Sequence, residues 1–128
     1  MTQQEAIDQW VKSAQEDLDV VLTLFANKKF SHALFFCHLV LEKLLKAAMV
    51  KKTDDAPPAI HDLRKLAKQI GLPLSKEMEK ELDEINSFNV EARYDIEKQK
   101  LYKKATSEYA KDYIERTKRI RTWILNEL

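Results

Sequence analysis

The sequence is poor in the residues that make turns and cross-links, with one cysteine, one glycine and three prolines among 128 residues. The lone Cys37 excludes an intramolecular disulfide. Sheets and hairpins need turn residues at regular intervals, so their scarcity predicts an all-helical protein. Neither charge is in excess, at 22 basic against 21 acidic residues. That balance argues against a general nucleic-acid coat or a binder of acidic membranes.

The chain also has no long uncharged hydrophobic run. Its most apolar stretch, residues 33–50, carries His38, Glu42, Lys43 and Lys46. Charges at the centre of a bilayer are costly, which favours a core helix here over a membrane span. The opening residues lack the basic region and apolar run of a secretory signal. We expect a cytoplasmic protein that does not contact membranes.

Apolar residues repeat with helical spacing over the first half of the chain. The first helix is predicted to start after the capping residue Thr2 and to end at Asn27. The second is predicted from its N-cap Ser31 to about Lys52. It is apolar around almost its whole circumference. We expect it to be the central element of the bundle or to be partly covered by a second copy of the chain.

The second half is predicted to hold three more helices. After a linker over 53–59, a short helix over 60–70 ends at Gly71, and a fourth helix follows its cap Ser75. Segment 89–100 shows no regular apolar repeat and is predicted to be irregular. A last helix is predicted over 101–127, with Tyr102 among its inward-facing residues. Residues 1–128 are thus predicted to form one domain, an all-α, up-and-down antiparallel bundle of about five helices.

Several kinds of chemistry find little support in the sequence. His38 and Glu42 have the i, i+4 spacing of metal ligands on a helix, but a site needs three or four ligands, and His32 and His61 have no local partner. Cys37 lies in an apolar run, where cysteine behaves as a small hydrophobe. One glycine cannot build a phosphate-binding loop. We predict no metal site, no cofactor and no catalytic residue.

Five polar residues fit no core pattern: Glu42, Lys46, His61, Arg93 and Tyr94. Glu42 and Lys46 have the spacing of a helical ion pair. Arg93 could clamp Glu42 and tie the irregular segment to the bundle. The alternative is that these residues form a polar pocket for an anionic ligand, and the sequence leaves both interpretations open.

Three stretches, by their order and spacing, resemble the HEPN domain family. They are HLVLEKLLKAAMV (38–50), PPAIHDLRKLA (57–67) and INSFNVEARYD (85–95). The resemblance covers nearly the full length and extends to the opening helix, through Trp10, Ala14, Asp17 and Leu18. It implies a helical bundle, usually a homodimer, found in prokaryotes beside a minimal nucleotidyltransferase. Such pairs commonly act as toxin–antitoxin or defence modules.

Many HEPN proteins are metal-independent ribonucleases that use an arginine followed four to six residues later by a histidine. In this sequence the last histidine, His61, precedes the first arginine, Arg64, so that motif is absent. No side chain at the motif position could then transfer a proton near neutral pH. The chain therefore resembles a branch of the family without the motif, and this resemblance favours a protein that is not an enzyme.

The resemblance favours a non-catalytic, dimeric binding module that partners a nucleotidyltransferase and holds a nucleotide or an RNA phosphate. Arg93 and Lys46 would contact phosphate, and Tyr94 would stack or hydrogen-bond. Glu42 would orient Arg93, and His61 would anchor the third helix. Two alternatives remain: a divergent ribonuclease that uses His61 with Arg93, and a purely structural interaction protein.

Overall fold

A computed structural model describes residues 1–90 and 95–128. Its helices are α1 (Gln3–Ala26), α2 (Phe30–Thr53), α3 (Leu63–Ile70), α4 (Lys76–Asn86), α5 (Asp95–Lys104) and α6 (Ser107–Leu125). The described residues form no strand. The prediction of an all-α helical bundle is confirmed, with six helices in the described ranges where about five were expected.

The helix α2 is the central element of the bundle, as the sequence suggested. Fourteen of its residues are buried, and it contacts α1, α3, α4, α5 and α6. The core around it is built mainly from leucine, isoleucine and valine side chains, and all the helices contribute to it. None of the described helices is long and apolar enough to span a bilayer.

Contacts between helix ends fix the directions of the main helices. The Gln3 side chain at the start of α1 donates to the Val50 carbonyl near the end of α2, 3.1 Å away, so these two helices are antiparallel. The Lys52 ammonium at the end of α2 donates to the carbonyls of Gln69 and Ile70 at the end of α3. Because both helices end at the same place, α3 runs in the same direction as α2, and the linker over 54–62 must return along α2.

Several helix ends were predicted correctly from local signals. The Thr2 hydroxyl accepts a hydrogen bond from the Glu5 amide, and the Ser75 hydroxyl accepts one from the Met78 amide. Gly71 ends α3 with φ at 86°, a left-handed conformation that favours glycine. Each of these signals lies within one turn of the helix end that it marks.

Other boundaries were predicted wrongly. The helix α2 begins at Phe30, with Lys29 rather than Ser31 as its N-cap, and α3 begins at Leu63 after its cap Asp62. Part of the predicted irregular segment is helical, because α5 starts at Asp95. This helix buries only one residue, Leu101. A helix that buries one residue leaves no apolar repeat in the sequence.

The predicted last helix is two helices. The helix α5 ends at Lys104 and α6 begins at Ser107. The Thr106 hydroxyl accepts a hydrogen bond from the Tyr109 amide and caps α6. Tyr102, predicted to face inward, is 69% exposed. The error arose because Tyr102 was assigned to the helical repeat of α6, whereas it belongs to the shorter α5.

Candidate functional site

The candidate site lies where the returning linker crosses α2. His38, Glu42 and Lys46 follow one another at four-residue spacing, so they share one face of the helix. They are only 1%, 6% and 7% exposed. Buried charged groups are costly unless they are paired, so the partners of these residues define the site. We call His38, Glu42, Lys46 and His61 of the linker the His61 cluster.

Glu42 is at the centre of the His61 cluster. One carboxylate oxygen, Oε2, lies 3.0 Å from the Lys46 ammonium, and the other, Oε1, lies 3.0 Å from Nδ1 of His61. Nδ1 of His38 is 3.7 Å from the same Oε1. Burial alone would raise the pKa of the Glu42 carboxyl. The hydrogen bonds from Lys46 and His61 and the charges of Lys46 and His38 outweigh it, so that the pKa lies below its ordinary value. Glu42 is therefore ionised at neutral pH.

His61 is held at two points. Its ring donates from Nδ1 to the Glu42 carboxylate, and its backbone carbonyl lies 2.8 Å from Nε2 of His38. A carbonyl can only accept, so Nε2 of His38 carries the hydrogen. The His61 side chain remains 66% exposed. With Nδ1 committed to the carboxylate, Nε2 of His61 is the ring nitrogen left for an outside ligand.

The residues after His61 fasten the linker to α4. Asp62 caps α3 by accepting from the Lys65 amide, and it also accepts a hydrogen bond from the Asn86 side chain at 3.0 Å. The Asn86 carbonyl oxygen accepts in turn from the Leu63 amide. Leu63 itself is fully buried. The His-Asp-Leu sequence therefore combines a cluster residue, a helix cap and a core residue in three consecutive positions.

Lys46 is engaged inside the protein. Besides its contact with Glu42, its ammonium lies 5.8 Å from the centroid of the Trp10 ring on α1, over the ring face. Such a cation–π contact stabilises a partly desolvated ammonium. Lys46 was predicted to contact phosphate. In this arrangement it neutralises Glu42 and joins α2 to α1.

Three of the five predicted site residues, Glu42, Lys46 and His61, lie together. The other two, Arg93 and Tyr94, lie outside the described residues, so the expected contacts of Arg93 with Glu42 and of Tyr94 with a ligand stay predictions. The sequence interpretation missed two contributors, His38 and Trp10. Its four-residue spacing puts His38 on the same helix face as Glu42 and Lys46, but its hydrogen-bond acceptor is a carbonyl 23 residues away.

Two other buried carboxylates form ion pairs that join helices. Glu81 on α4 binds Arg116 and Arg119 of α6. Asp17 on α1 binds Lys43 of α2 at 2.6 Å. Burial raises the pKa of Cys37 to about 12, so its thiol stays protonated and a poor nucleophile. Over residues 1–90 and 95–128, no group of three or more His, Cys, Asp or Glu side chains is placed to hold a metal ion.

The fold and the site define an all-helical bundle in which a buried, ionised carboxylate orients an exposed imidazole. The model of the HEPN domain family matches residues 7–128. The chain therefore belongs to the HEPN family, as the resemblance of its three stretches to that family predicted. No curated protein and no solved structure matches it.

Proposed function

We propose that this chain is a non-catalytic HEPN binding module that holds a phosphate of a nucleotide or an RNA at the exposed edge of His61. The observation that carries the proposal is the two-point fixation of His61, through its ring and its backbone carbonyl, with the ring itself 66% exposed. Besides contributing to the stability of the fold, these two anchors lower the entropy cost of presenting the ring to a ligand.

The charges of the His61 cluster suit an anion once His61 is protonated. Lys46 neutralises Glu42 within the cluster. A proton on His61 then leaves a net positive charge at the surface, with an Nε2–H donor for a phosphate oxygen. Arg93 and Tyr94 of the INSFNVEARYD stretch are expected, on the basis of the resemblance alone, to add a guanidinium and an aromatic ring.

The proposed lack of catalysis is supported by the order of residues in the sequence. No arginine precedes any histidine, so the ribonuclease motif of many HEPN proteins has no counterpart here. The proposed homodimer and the proposed nucleotidyltransferase partner, in a toxin–antitoxin or defence pair, are supported by membership of the family. Light scattering of the purified chain tests the dimer. Co-purification with a nucleotidyltransferase encoded beside it tests the partner.

Binding of a short single-stranded RNA at several pH values tests the phosphate site. Imidazoles ordinarily change charge between about pH 5 and 8. We expect the affinity to rise as the pH falls through this range, and His61→Gln to remove the pH dependence. His32→Gln, which changes an exposed histidine outside the cluster, is the matched control. An affinity that is independent of pH, or equally sensitive to both variants, contradicts the proposal.

A second candidate function is supported by the same hydrogen bond. A carboxylate that fixes one ring nitrogen and leaves the other free is the arrangement of a general base. His61 could then take the proton of a ribose 2′-hydroxyl, so that the oxygen attacks the adjacent phosphate and the 5′-oxygen leaves. This candidate is a divergent ribonuclease, with Arg93 expected to stabilise the phosphate.

The pH dependence separates the two candidates because they need opposite forms of His61. A general base must be neutral, so cleavage would become faster as the pH rises, whereas phosphate binding would become weaker. Incubation of RNA with the wild-type chain, His61→Gln and Arg93→Ala measures the cleavage. Cleavage that disappears in both variants supports the ribonuclease, and intact RNA at every pH supports the binding module. If Arg93→Ala lowers only the melting temperature, and partner binding persists, the structural alternative is favoured.

A further inference from the structure

Two adjoining cavities form a groove along the first turns of α1. One, of about 370 Å³, lies between α1 and the end of α2, with Val50 and Pro57 in its wall. The other, of about 290 Å³, continues along α1 to Ser13. Ala6 and Trp10 line both cavities, which places the two side by side. We call the two cavities together the Trp10 groove.

The walls of the Trp10 groove are held in place by contacts within the bundle. The Gln3 side chain joins the start of α1 to the end of α2 by donating to the Val50 carbonyl. Ile7, Ala47 and Val50 form a small buried cluster, and the partly buried Trp10 packs against it. Because these walls are already ordered, a ligand that enters the groove loses little affinity to ordering them.

The Trp10 groove is acidic at one end. Asp54 and Asp55 line the larger cavity, and both are exposed. Neither carboxylate forms an ion pair in the part of the chain that the structure describes. The nearby Lys51 and Lys52 are engaged elsewhere, because their ammonium groups donate to main-chain oxygens of the last two residues and of the end of α3. The two carboxylates are therefore available to a cation from outside.

The larger cavity combines these carboxylates with an aromatic ring. Trp10 accepts a cation on its ring face already, since the Lys46 ammonium lies 5.8 Å from the ring centroid. Lys46 lines neither cavity and is neutralised by Glu42, so it leaves the acidic end of the groove uncompensated. A guanidinium suits such a cavity, because it can stack on an aromatic ring and pair with a carboxylate through its planar fork of donors.

We propose that the Trp10 groove docks an extended segment of a partner protein in which an apolar side chain stands beside an arginine. The apolar side chain would lie against Ala6 and Trp10, and the guanidinium would reach Asp54 and Asp55. From Ala6 to Ser13 the groove follows seven residues of α1, about 10 Å at 1.5 Å per residue. An extended chain covers that length with about three residues.

This docking surface differs in place and in charge from the site proposed at His61. No residue of the His61 cluster lines the Trp10 groove. The proposed function places an anion at the His61 ring, whereas the groove takes a cation. The docking surface therefore does not rest on the proposed function, and either one can fail while the other holds.

Fluorescence of Trp10 in the full chain tests the groove directly. Trp10 and Trp123 are the two tryptophans of the sequence, so Trp123→Phe leaves Trp10 as the one indole reporter. The probe is the capped peptide acetyl-Gly-Leu-Arg-Gly-amide. We expect it to change the fluorescence with a saturable curve. Matched peptides with Glu in place of Arg, or Gly in place of Leu, should bind about tenfold more weakly. No change at millimolar peptide, or equal affinity for the Arg and Glu peptides, would overturn the proposal.

Removing the two aspartates tests the acidic end. Asp54→Asn with Asp55→Asn should weaken binding of the Leu-Arg peptide about tenfold and abolish its advantage over the Leu-Glu peptide. Asparagine suits position 54 because Asp54 has φ at 52°, a left-handed conformation that asparagine tolerates. Asp8→Asn with Asp19→Asn removes the same charge from exposed positions of α1 outside the groove and should leave the affinity unchanged. A loss of equal size in this control would indicate general attraction and overturn the site.

Filling the groove tests its apolar part. Ala6→Gln places a longer, uncharged side chain where the two cavities adjoin, and glutamine is a good helix former. We expect this variant to lose the fluorescence response and to bind RNA at His61 as the wild type does. Dispersed amide signals in nuclear magnetic resonance spectra verify its fold, and the aspartate variants test the groove without altering its packing. If folded Ala6→Gln binds the Leu-Arg peptide as tightly as the wild type, the peptide does not lie in the groove and the proposal is wrong.

Discussion

Two buried glutamates of this bundle have similar surroundings and different partners. Glu42 on α2 and Glu81 on α4 are 6% and 2% exposed, and each carboxylate accepts hydrogen bonds from two basic side chains. The partners of Glu81 are Arg116 and Arg119, which remain charged at all ordinary pH values. The partners of Glu42 are Lys46 and His61, and histidine changes its charge near neutral pH.

This difference distinguishes a structural ion pair from a candidate binding site. Glu81 joins α4 to α6, and its two arginines reach it from a partly exposed helix face, so the contact is complete without a ligand. Glu42 joins α2 to the linker, and its histidine has a free ring nitrogen at the surface. A buried carboxylate is therefore a weak indicator of function by itself, and the residue type of its partner and the exposure of that partner decide between the two roles.

The largest effect is expected from Glu42→Ala, which removes the centre of the His61 cluster. The Lys46 ammonium would stay buried without its counter-charge, and breaking a buried ion pair on one side costs about 3–5 kcal/mol. The free energy of unfolding, measured by urea denaturation, checks this value. Glu81→Ala should cost less, because Arg116 and Arg119 can turn to solvent. Equal losses in the two variants would contradict the distinction between the two glutamates.

A smaller effect is expected from His38→Leu, which keeps the side-chain volume but removes the donor to the His61 carbonyl. The loss of one hydrogen bond to a buried side chain costs about 1–2 kcal/mol. Urea denaturation measures the loss, and the pH dependence of RNA binding shows whether His61 has lost its fixed position.

His38→Gln is the matched control for this change, because a glutamine amide can place a donor close to the position of the histidine Nε2. We expect it to recover part of the stability and the pH dependence of binding. If His38→Leu lowers stability but leaves that pH dependence unchanged, His38 contributes to the fold alone and does not position His61.

Local signals in the sequence predicted most of the fold. The caps Thr2 and Ser75 and the left-handed Gly71 mark helix ends within a single turn, so neighbouring residues suffice to identify them. The helix α5 was missed because it buries only Leu101 and has no apolar repeat. The start of α3 was placed three residues early because Ile60 continues the apolar pattern, whereas Asp62 is the residue that caps the helix.

The candidate site was only partly predictable, for a related reason. Glu42 and Lys46 stood out as charged residues within an apolar helix, and a helical repeat is enough to place them on one face. The role of His38 depends on the linker returning along α2, which brings a carbonyl 23 residues distant within 2.8 Å. Such a path depends on contacts between distant segments, and no repeat in the sequence encodes it.

The last prediction concerns the pH dependence of stability, and it has the smallest expected effect. Because the pKa of Glu42 is lower in the folded protein than its ordinary value, the ionised form stabilises the fold. This contribution is fully present above the ordinary pKa of a glutamate, about 4.3, and is lost as the pH falls through the lower pKa of the folded state. Wild type should therefore lose more stability than Glu42→Gln between pH 6 and 3. Urea denaturation at each pH measures the difference, and parallel curves for the two proteins would show that Glu42 titrates alike in the folded and unfolded states.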